Sequence, residues 1–213
     1  MYKYVKRIFD IVFSLVGLIL LSPVFLIIAL FIKMDSKGPV IFKQKRIGKD
    51  EKKFFIYKFR TMKMNSPSLP PYKFKNTKKY LTRVGGGLRR SSLDELPQLV
   101  NVFKGEMSLI GPRPGAANNE EELRLARREN EVFNVQPGVT GYAQINGRDE
   151  LAHNVKEKVK HDKYYVENCS FWLDFSILVK TVIAVIAKKG YNEGLVSGIG
   201  VDEPIKQIGN HEN

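Results

Sequence analysis

The chain is poor in the residues that build disulfides and metal sites. Its 213 residues include one cysteine, Cys169, and three histidines. A single cysteine excludes an internal disulfide and suits a reducing compartment. The histidines (His153, His161 and His211) lack metal-site spacing with Cys169, which argues against a zinc site. A Walker-type glycine loop and a dinucleotide fingerprint are also missing, which argues against the nucleotide-binding folds that those motifs mark.

Acidic residues are too few to balance the basic ones. The chain has 35 Lys and Arg against 22 Asp and Glu, a formal net charge of +13. Such a surplus indicates a polyanionic partner: nucleic acid, anionic lipid head groups or a phosphorylated substrate. Charged residues make up 27% of the chain, too many for a polytopic membrane protein. We therefore expect most of the chain to lie in water or at an interface.

One long stretch, from Ile11 to Ile32, has no charge at all. Roughly 20 apolar residues at about 1.5 Å each would cross a bilayer core of ~30 Å. The run is too long for a signal peptide and no small-residue cleavage site follows it, so we expect it to remain in the mature protein.

Ser22-Pro23 interrupts this apolar run near its middle. Proline removes a backbone hydrogen bond and clashes with the preceding turn, which predicts a kink or break. Basic residues flank the run on both sides: Lys3, Lys6 and Arg7 before it, and Lys33, Lys37, Lys43, Lys45 and Arg46 after it. Because basic flanks stay cytoplasmic, a re-entrant helix hairpin satisfies both. A kinked single-pass anchor is the alternative. We expect Asp10 to lie at the interface and to pair with Lys6 or Arg7, without a catalytic role.

The remaining patterns predict an α+β fold that is mainly helical. Val40 to Arg46 and Phe54 to Phe59 predict a short β-hairpin, and the proline-rich stretch from Asn65 to Asn76 predicts a loop. Helices are predicted at Leu93 to Phe103, Asn118 to Glu131, Ala152 to Glu167 and Phe171 to Lys189. The last one is amphipathic, and it suits either the membrane interface, with Trp172 at head-group level, or packing on the core.

Two adjacent acids, Asp94 and Glu95, follow two arginines at the predicted start of a helix. Ser92 and Glu95 have the spacing of a capping box, and the helix dipole favours acids in a first turn. In the functional interpretation, the helix N-terminus and Arg89 keep Asp94 ionised, so that it can attack phosphorus and form an acyl-phosphate. Glu95 would then hold a divalent cation or act as an acid-base group. Both interpretations remain open at this point.

Two further stretches suit phosphate. Arg113 lies between two prolines that restrict its guanidinium, and a planar fork held in this way fits a phosphate. Gln136 to Asp149 is a glycine-punctuated loop that contains Arg148. Each pattern alone is weak, because a surface turn with an incidental arginine has the same letters.

Seven short blocks carry a resemblance that covers nearly the whole chain up to about Thr181. They are Lys6-Arg7-Ile8-Phe9-Asp10, Ser22-Pro23, Tyr57-Lys58-Phe59-Arg60-Thr61-Met62, Leu93-Asp94-Glu95-Leu96-Pro97-Gln98, Ser108-Leu109-Ile110-Gly111-Pro112-Arg113-Pro114, Pro137-Gly138-Val139-Thr140-Gly141 and Phe171-Trp172-Leu173-Asp174. In this order they resemble the monotopic polyprenyl-phosphate phosphoglycosyl transferases, the bacterial sugar transferases. With one hydrophobic membrane segment, the chain resembles the minimal form of that family.

The resemblance implies a mechanism. Asp94 would attack the β-phosphate of a UDP-sugar and release UMP, with Glu95 as its partner in a catalytic pair that holds Mg²⁺. Polyprenyl phosphate, typically undecaprenyl phosphate, would then take the phospho-sugar. The residues implied to bind phosphate or substrate are Arg89, Arg113, Arg148, Lys58, Arg60 and Asp174. Asp149 stands where many members have asparagine, and it is left out of the implied site.

The resemblance also implies an organisation and a location. Residues 1–37 would form the re-entrant membrane helix, residues 38–190 a cytoplasmic or interfacial catalytic domain, and residues 191–213 a weakly ordered tail. We expect the chain at the cytoplasmic face of the bacterial inner membrane, as a possible homo-oligomer, catalysing the first membrane step of glycoconjugate assembly. Its partners would be the UDP-sugar and the lipid phosphate, and no nucleic acid. The alternative is a membrane-anchored basic scaffold that binds anionic lipid or nucleic acid.

Overall fold

The computed structural model describes residues 2–66, 77–117, 120–147 and 154–187. This part of the chain is mainly helical, as predicted, and it contains the predicted β-hairpin and a second small pair of strands. The helices are α1 (Tyr2–Leu20), α2 (Ser22–Asp35), α3 (Arg83–Arg90), α4 (Gln98–Lys104), α5 (Glu121–Glu129), α6 (Tyr142–Ile145), α7 (Val155–Glu167) and α8 (Phe171–Ile186). The strands are β1 (Ile41–Ile47), β2 (Lys53–Phe59), β3 (Ser108–Ile110) and β4 (Gly138–Thr140). The tail at 191–213 and most of the predicted loop, 67–76, lie outside the described residues.

The apolar run forms two helices that meet at Leu21. Pro23 lies in the first turn of α2, where a backbone N–H would have no acceptor within the helix, so proline costs no hydrogen bond there. Ser22 Oγ donates to the Ile19 carbonyl at 2.7 Å. The expected break is therefore present, with a bend of 59°. Within the described ranges, no single helix has both the length and the hydropathy of a bilayer span, but the bent pair meets those criteria together.

One side of this bent pair packs on the rest of the fold. Ile28 and Ile32 of α2 are buried against Phe59 of β2 and Leu88 of α3, and Gly17 of α1 contacts Leu99 of α4. The other side of the pair leaves large apolar side chains exposed, among them Ile8, Phe13, Ile19, Leu20, Leu26, Leu30 and Phe31. The two helices are thus attached along one face and uncovered along the other.

Helix α8 adds its own apolar face to this uncovered surface. The rings of Phe9 in α1 and Phe171 in α8 lie 6.2 Å apart, so the two helices adjoin. The predicted amphipathic stripe of α8 is exposed. The Trp172 side chain has 75% of its maximal solvent-accessible surface, whereas Asp174 and Ile177 are buried. Helix α8 therefore packs on the core through Ile177 and Leu173, while the predicted stripe itself stays uncovered.

The β-hairpin forms as predicted, within one residue at each end. Antiparallel β1 and β2 pair from Ile41↔Phe59 to Ile47↔Lys53, around a short turn at Lys49–Glu51. Alternate residues face opposite sides of the hairpin. Lys58 and Arg46 therefore share one face, while Lys43 and Lys45 share the other.

The glycine-punctuated loop forms a structure that was not predicted, a parallel pair of β3 and β4. Ser108 pairs with Gly138 and Ile110 with Thr140. A Cβ atom on Gly138 would lie 2.1 Å from the Gly111 nitrogen, and one on Gly141 would lie 2.1 Å from the Gly111 carbonyl oxygen. These glycines allow two backbones to approach closely. Gly138 and Gly141 thus have a structural role, and the predicted phosphate or nucleotide site in this loop stays a prediction.

Asp10 interacts electrostatically with Lys6 and Arg7 but forms no direct ion pair with either, unlike the pairing that was considered for it. It is buried and accepts hydrogen bonds from the Leu109 nitrogen at 2.9 Å and Ser108 Oγ at 3.1 Å. The Leu109 N–H takes no part in the pairing with β4, so it needs another acceptor. Asp10 supplies that acceptor and attaches α1 to β3.

Two adjacent glycines in α3 provide a matched test of the packing between α3 and the segment after β2. A Cβ on Gly85 would lie 2.0 Å from the Thr61 carbonyl oxygen, whereas a Cβ on Gly86 meets nothing within 4 Å. We expect Gly85→Ala to lower the unfolding temperature, with overpacking costing about 1–3 kcal/mol. Gly86→Ala should raise it, since alanine stabilises a helix by about 1 kcal/mol relative to glycine. Thermal unfolding of the purified variants measures both, and equal midpoints would contradict this packing.

Candidate active site

Asp94 and Glu95 lie on a short 3₁₀ turn, Leu93–Glu95, between α3 and α4. Pro97 has no N–H for the Leu93 carbonyl, so the predicted helix from Leu93 to Phe103 is split before α4 begins at Gln98. Ser92 adopts a left-handed backbone conformation (φ 56°), and its side chain caps nothing. The predicted capping box is therefore wrong, and the Glu95 carboxylate is available for other partners.

Those partners are Lys58 from β2 and Arg113 from the loop after β3. Lys58 Nζ lies 2.8 Å from Glu95 Oε1, Arg113 Nη1 lies 3.2 Å from Oε2, and Arg113 Nη2 also contacts Oε1. Burial alone would raise the pKa of Glu95, but Arg113 and Lys58 hold this pKa well below its ordinary value. Glu95 in turn raises the pKa of Arg113. We call these three side chains the Glu95 cluster.

Asp94 is the neighbouring carboxylate, and it is 9% exposed. Burial and then the charge of Glu95 raise the pKa of Asp94, against the opposing effects of Lys58, Arg89 and Arg113. Arg89 lowers the pKa of Asp94 as expected, but burial and Glu95 outweigh it, and the ionised state of Asp94 stays a prediction. Arg89 Nε donates to Thr61 Oγ1 at 2.9 Å, and Asp94 forms no ion pair with a described residue.

Three of the predicted phosphate-binding residues thus lie near Asp94: Lys58, Arg89 and Arg113. Arg60 is not brought to this site. It is 4% exposed, and its guanidinium donates to the carbonyls of Lys37 at 2.6 Å and Ser36 at 2.8 Å, just after α2. It therefore secures the end of α2, where carbonyl groups have no helical donor.

Asp174 is also engaged elsewhere. It accepts hydrogen bonds from Tyr165, at 2.8 Å, and from Tyr2, and it forms an ion pair with Lys6. It thereby links α8 to α7 and α1, and among the described residues none of these partners belongs to the Glu95 cluster. Arg148 and Asp149 lie outside the described residues.

A second charged cluster lies beside Arg113, and the sequence patterns did not predict it. Arg127 and Asp162 form a buried ion pair, with Arg127 Nε and Nη2 at 3.0 and 2.6 Å from Asp162 Oδ2. Arg46, Glu120 and Lys158 lie around it. A sequence signal existed for Asp162, because it falls between Val159 and Tyr165 on the buried stripe of α7.

The carboxylates present suit a Mg²⁺ ion that shares its coordination with a substrate. Mg²⁺ is bound in many phosphoryl-transfer sites by one or two carboxylates together with substrate phosphates. Asp94 and Glu95 supply two such carboxylates, although Glu95 is engaged by Lys58 and Arg113. Over the residues that the structure describes, no group of three or more His, Cys, Asp or Glu side chains could hold a metal.

Comparison with known proteins assigns the family. Residues 1–188 match the sequence model of the family described as bacterial sugar transferase. The chain belongs to this family. It is 40% identical over 191 residues to the UDP-glucose:undecaprenyl-phosphate glucose-1-phosphate transferase of Escherichia coli (strain K12), covering 88% of this chain and 41% of that protein.

The names of two other relatives state different sugars. A UDP-N-acetylgalactosamine-undecaprenyl-phosphate N-acetylgalactosaminephosphotransferase of Aeromonas hydrophila is 39% identical, over 89% of this chain and 45% of that protein. An undecaprenyl-phosphate galactose phosphotransferase of Salmonella typhimurium is 37% identical, over 88% of this chain and 42% of that protein. The chain thus spans less than half the length of these relatives.

Substitution of Arg60, with Arg128 as the control, distinguishes a structural role of Arg60 from a role in binding substrate. We expect Arg60→Gln to lower the free energy of unfolding by about 1.5–3 kcal/mol, since it removes hydrogen bonds from a charged buried donor. Arg128→Gln is the matched control, because Arg128 pairs with Glu51 at an exposed site and its removal should change the stability much less. Chemical denaturation measures both. An Arg60→Gln protein of unchanged stability that no longer binds UDP would instead place Arg60 in the substrate site.

Proposed function

We propose that the chain transfers a sugar-1-phosphate from a UDP-sugar to undecaprenyl phosphate and releases UMP, with Asp94 carrying the phospho-sugar between the two half-reactions. The observation that supports this most directly is the position of Asp94. Its carboxylate is largely buried and unpaired among the described residues, and it lies beside the cations Lys58, Arg89 and Arg113. The substrates are those that the names of the relatives state.

In the first half-reaction, an Asp94 carboxylate oxygen attacks the phosphorus that carries the sugar. A new oxygen–phosphorus bond forms, and the bond from that phosphorus to the bridging oxygen of the diphosphate breaks. The bridging oxygen keeps the electron pair and leaves as part of UMP. The raised pKa of Asp94 is useful here, because nucleophilicity falls as the pKa of a nucleophile falls.

In the second half-reaction, a phosphate oxygen of undecaprenyl phosphate attacks the same phosphorus. The bond between Asp94 and phosphorus breaks, the carboxylate is restored, and the product is a lipid diphosphate that carries the sugar. The two steps need the same cations around one phosphorus. A single site can therefore serve both substrates in turn.

The Glu95 cluster controls the charge around that phosphorus. Without substrate, Glu95 neutralises Arg113 and Lys58, which keeps their buried charges paired. A phosphate is a suitable replacement partner, since guanidinium groups bind carboxylate and phosphate with the same fork geometry. We infer that the incoming phosphate takes over Arg113 and Lys58, and that Glu95 is then freed beside Asp94.

Mg²⁺ is the proposed cofactor, and Asp94 and Glu95 are the residues that would hold it. Bound there, it would neutralise charge on the phosphates. The chain's own contribution is to exclude water by burying Asp94 and to orient the phosphate through Arg113.

The proposed membrane attachment uses the uncovered apolar faces of α1, α2 and α8. The bend between α1 and α2, with basic residues before and after the pair, supports a re-entrant hairpin over residues 1–37 that enters and leaves at the cytoplasmic face of the inner membrane. Exposed Trp172 suits the head-group layer. The body over residues 38–190 would then hold Asp94 where a water-soluble UDP-sugar and a lipid phosphate can both reach it.

Replacement of the nucleophile tests the covalent step. Incubation of the wild-type protein with UDP-glucose, UDP-galactose or UDP-N-acetylgalactosamine, without lipid, should release UMP and add the mass of one phospho-sugar for the sugar it accepts. Asp94→Asn should lose this adduct and slow turnover by at least about 10³-fold, because removing a nucleophile costs this much or more. Glu121→Gln, which changes an exposed carboxylate, is the control and should behave as wild type. Full activity of Asp94→Asn would exclude a covalent intermediate on this residue.

Cysteine labelling tests the hairpin. In a Cys169→Ser background, Lys3→Cys and Lys37→Cys each place one thiol at an exposed position on either side of the bent pair. A membrane-impermeant maleimide should label both in inside-out vesicles and neither in intact spheroplasts. Labelling of only one of the two from each side would show a single-pass span.

A further inference from the structure

A group of cations continues from Arg113 away from Glu95. Arg46, Arg113 and Lys158 each interact electrostatically with Glu120, whose Oε2 accepts a hydrogen bond from the Ala116 nitrogen at 2.8 Å. Arg127 is a further neighbour of both Arg46 and Lys158. Arg113 therefore belongs both to the Glu95 cluster and to this second group, which we call the Glu120 group.

The carboxylates do not balance the cations of the Glu120 group. Arg127 is matched by Asp162 and Arg113 by Glu95, which leaves Arg46 and Lys158 to share the single carboxylate of Glu120. Arg46 donates to two neutral acceptors, the Pro114 carbonyl at 3.1 Å and Gln44 Oε1 at 2.6 Å, and its buried Nε has no partner. Buried charges in proteins are normally paired. The surplus cation is a reason to expect an anionic ligand.

Lys158 is one of the members of the group that a ligand can reach. It lies on α7 and is only partly buried, as are Arg46 and Arg113, whereas Arg127 and Asp162 are 2% and 1% exposed. Among the described residues, none forms an ion pair with Lys158 Nζ. Burial and the charge of Arg127 lower the pKa of Lys158 to about 8, against the opposing effects of Glu120 and Asp162. An anion bound here would restore the charge balance around this amino group.

A nucleoside diphosphate sugar has a second phosphate next to the one that reacts. We propose that Lys158, beside Arg113, binds the phosphate that leaves with the nucleoside, while Arg46 and Arg127 supply further positive charge. The inference rests on the proposed function, since it assumes that the phosphorus carrying the sugar lies between Asp94 and Arg113. The leaving phosphate gains negative charge as the bridging bond breaks, so a cation beside it stabilises the transition state.

The first test measures UDP and UMP binding by the full-length protein in nanodiscs. Lys158→Gln should weaken both by about 10- to 100-fold, the range for hydrogen bonds to charged groups. Lys158→Arg, which keeps the charge, should retain most of the affinity. Lys160→Gln is the control, because this exposed lysine on the same helix pairs only with Glu157 among the described residues and should change affinity less than about twofold.

The second test measures how the affinity for UDP depends on pH. A purely structural role of Lys158 would not produce the dependence that is expected here. Wild-type affinity for UDP should fall as the pH rises from about 7 to about 9.5, because Lys158 loses its proton above its pKa of about 8. Lys158→Arg should remove that part of the fall, since a guanidinium stays protonated. The charged groups that face Lys158 are Arg127, Glu120, Asp162 and Arg113, and all four are unchanged in the Lys158→Arg variant. Comparison with Lys158→Arg also separates the titration of Lys158 from that of Lys58, whose pKa is lowered by burial.

The outcomes separate this inference from the proposed function. If wild-type protein binds UDP and forms the phospho-sugar adduct, but folded Lys158→Gln binds UDP as tightly, the inference alone is wrong. If wild-type protein binds neither UDP nor UMP, both fail. A selective loss in Lys158→Gln, with recovery in Lys158→Arg, supports the second phosphate site.

Discussion

The ion cluster of Glu95 with Lys58 and Arg113 joins three separate parts of the fold. Lys58 comes from the hairpin, Glu95 from the turn before α4, and Arg113 from the loop after β3. Each of these charges would be costly to bury alone, and together they stabilise one another. The cluster therefore fixes where these elements meet, and it also holds Asp94 at the meeting point. In the proposed mechanism, stability and chemistry would depend on the same carboxylate, that of Glu95, which is largely shielded from water.

A second set of contacts ties the apolar helices to this region. Asp10 of α1 accepts hydrogen bonds from β3, and Arg7 donates to the Val102 and Phe103 carbonyls at the end of α4, at 2.6 and 2.8 Å. Tyr165 Oη lies 3.1 Å from the Ile110 oxygen and 2.8 Å from Asp174 of α8. The polar residues of α1 thus bind the backbone that leads into the elements around Asp94. The uncovered apolar surface and the Asp94 site form parts of one framework.

Local signals in the sequence predicted the features that depend on local chemistry. Ser22-Pro23 marks the helix break because proline lacks an N–H, and the hairpin follows from its two short strand patterns and polar turn. The partners of Glu95, Asp10 and Asp174 were not predictable, because they are separated from these residues by up to 172 positions in the chain. Local spacing favoured a capping box for Glu95, and tertiary ion pairs outweighed it. The role of Gly138 depended on a parallel strand partner that periodicity does not reveal.

The close contact of Gly111 with Gly138 and Gly141 has a consequence for how Arg113 changes partners. Two backbones that touch without intervening side chains leave little room for hinge motion, and the Pro112 carbonyl also accepts a hydrogen bond from the Gly138 nitrogen at 2.9 Å. In the proposed mechanism we therefore expect the exchange of a carboxylate for a phosphate at Arg113 to need a change of side-chain rotamer and little movement of the main chain.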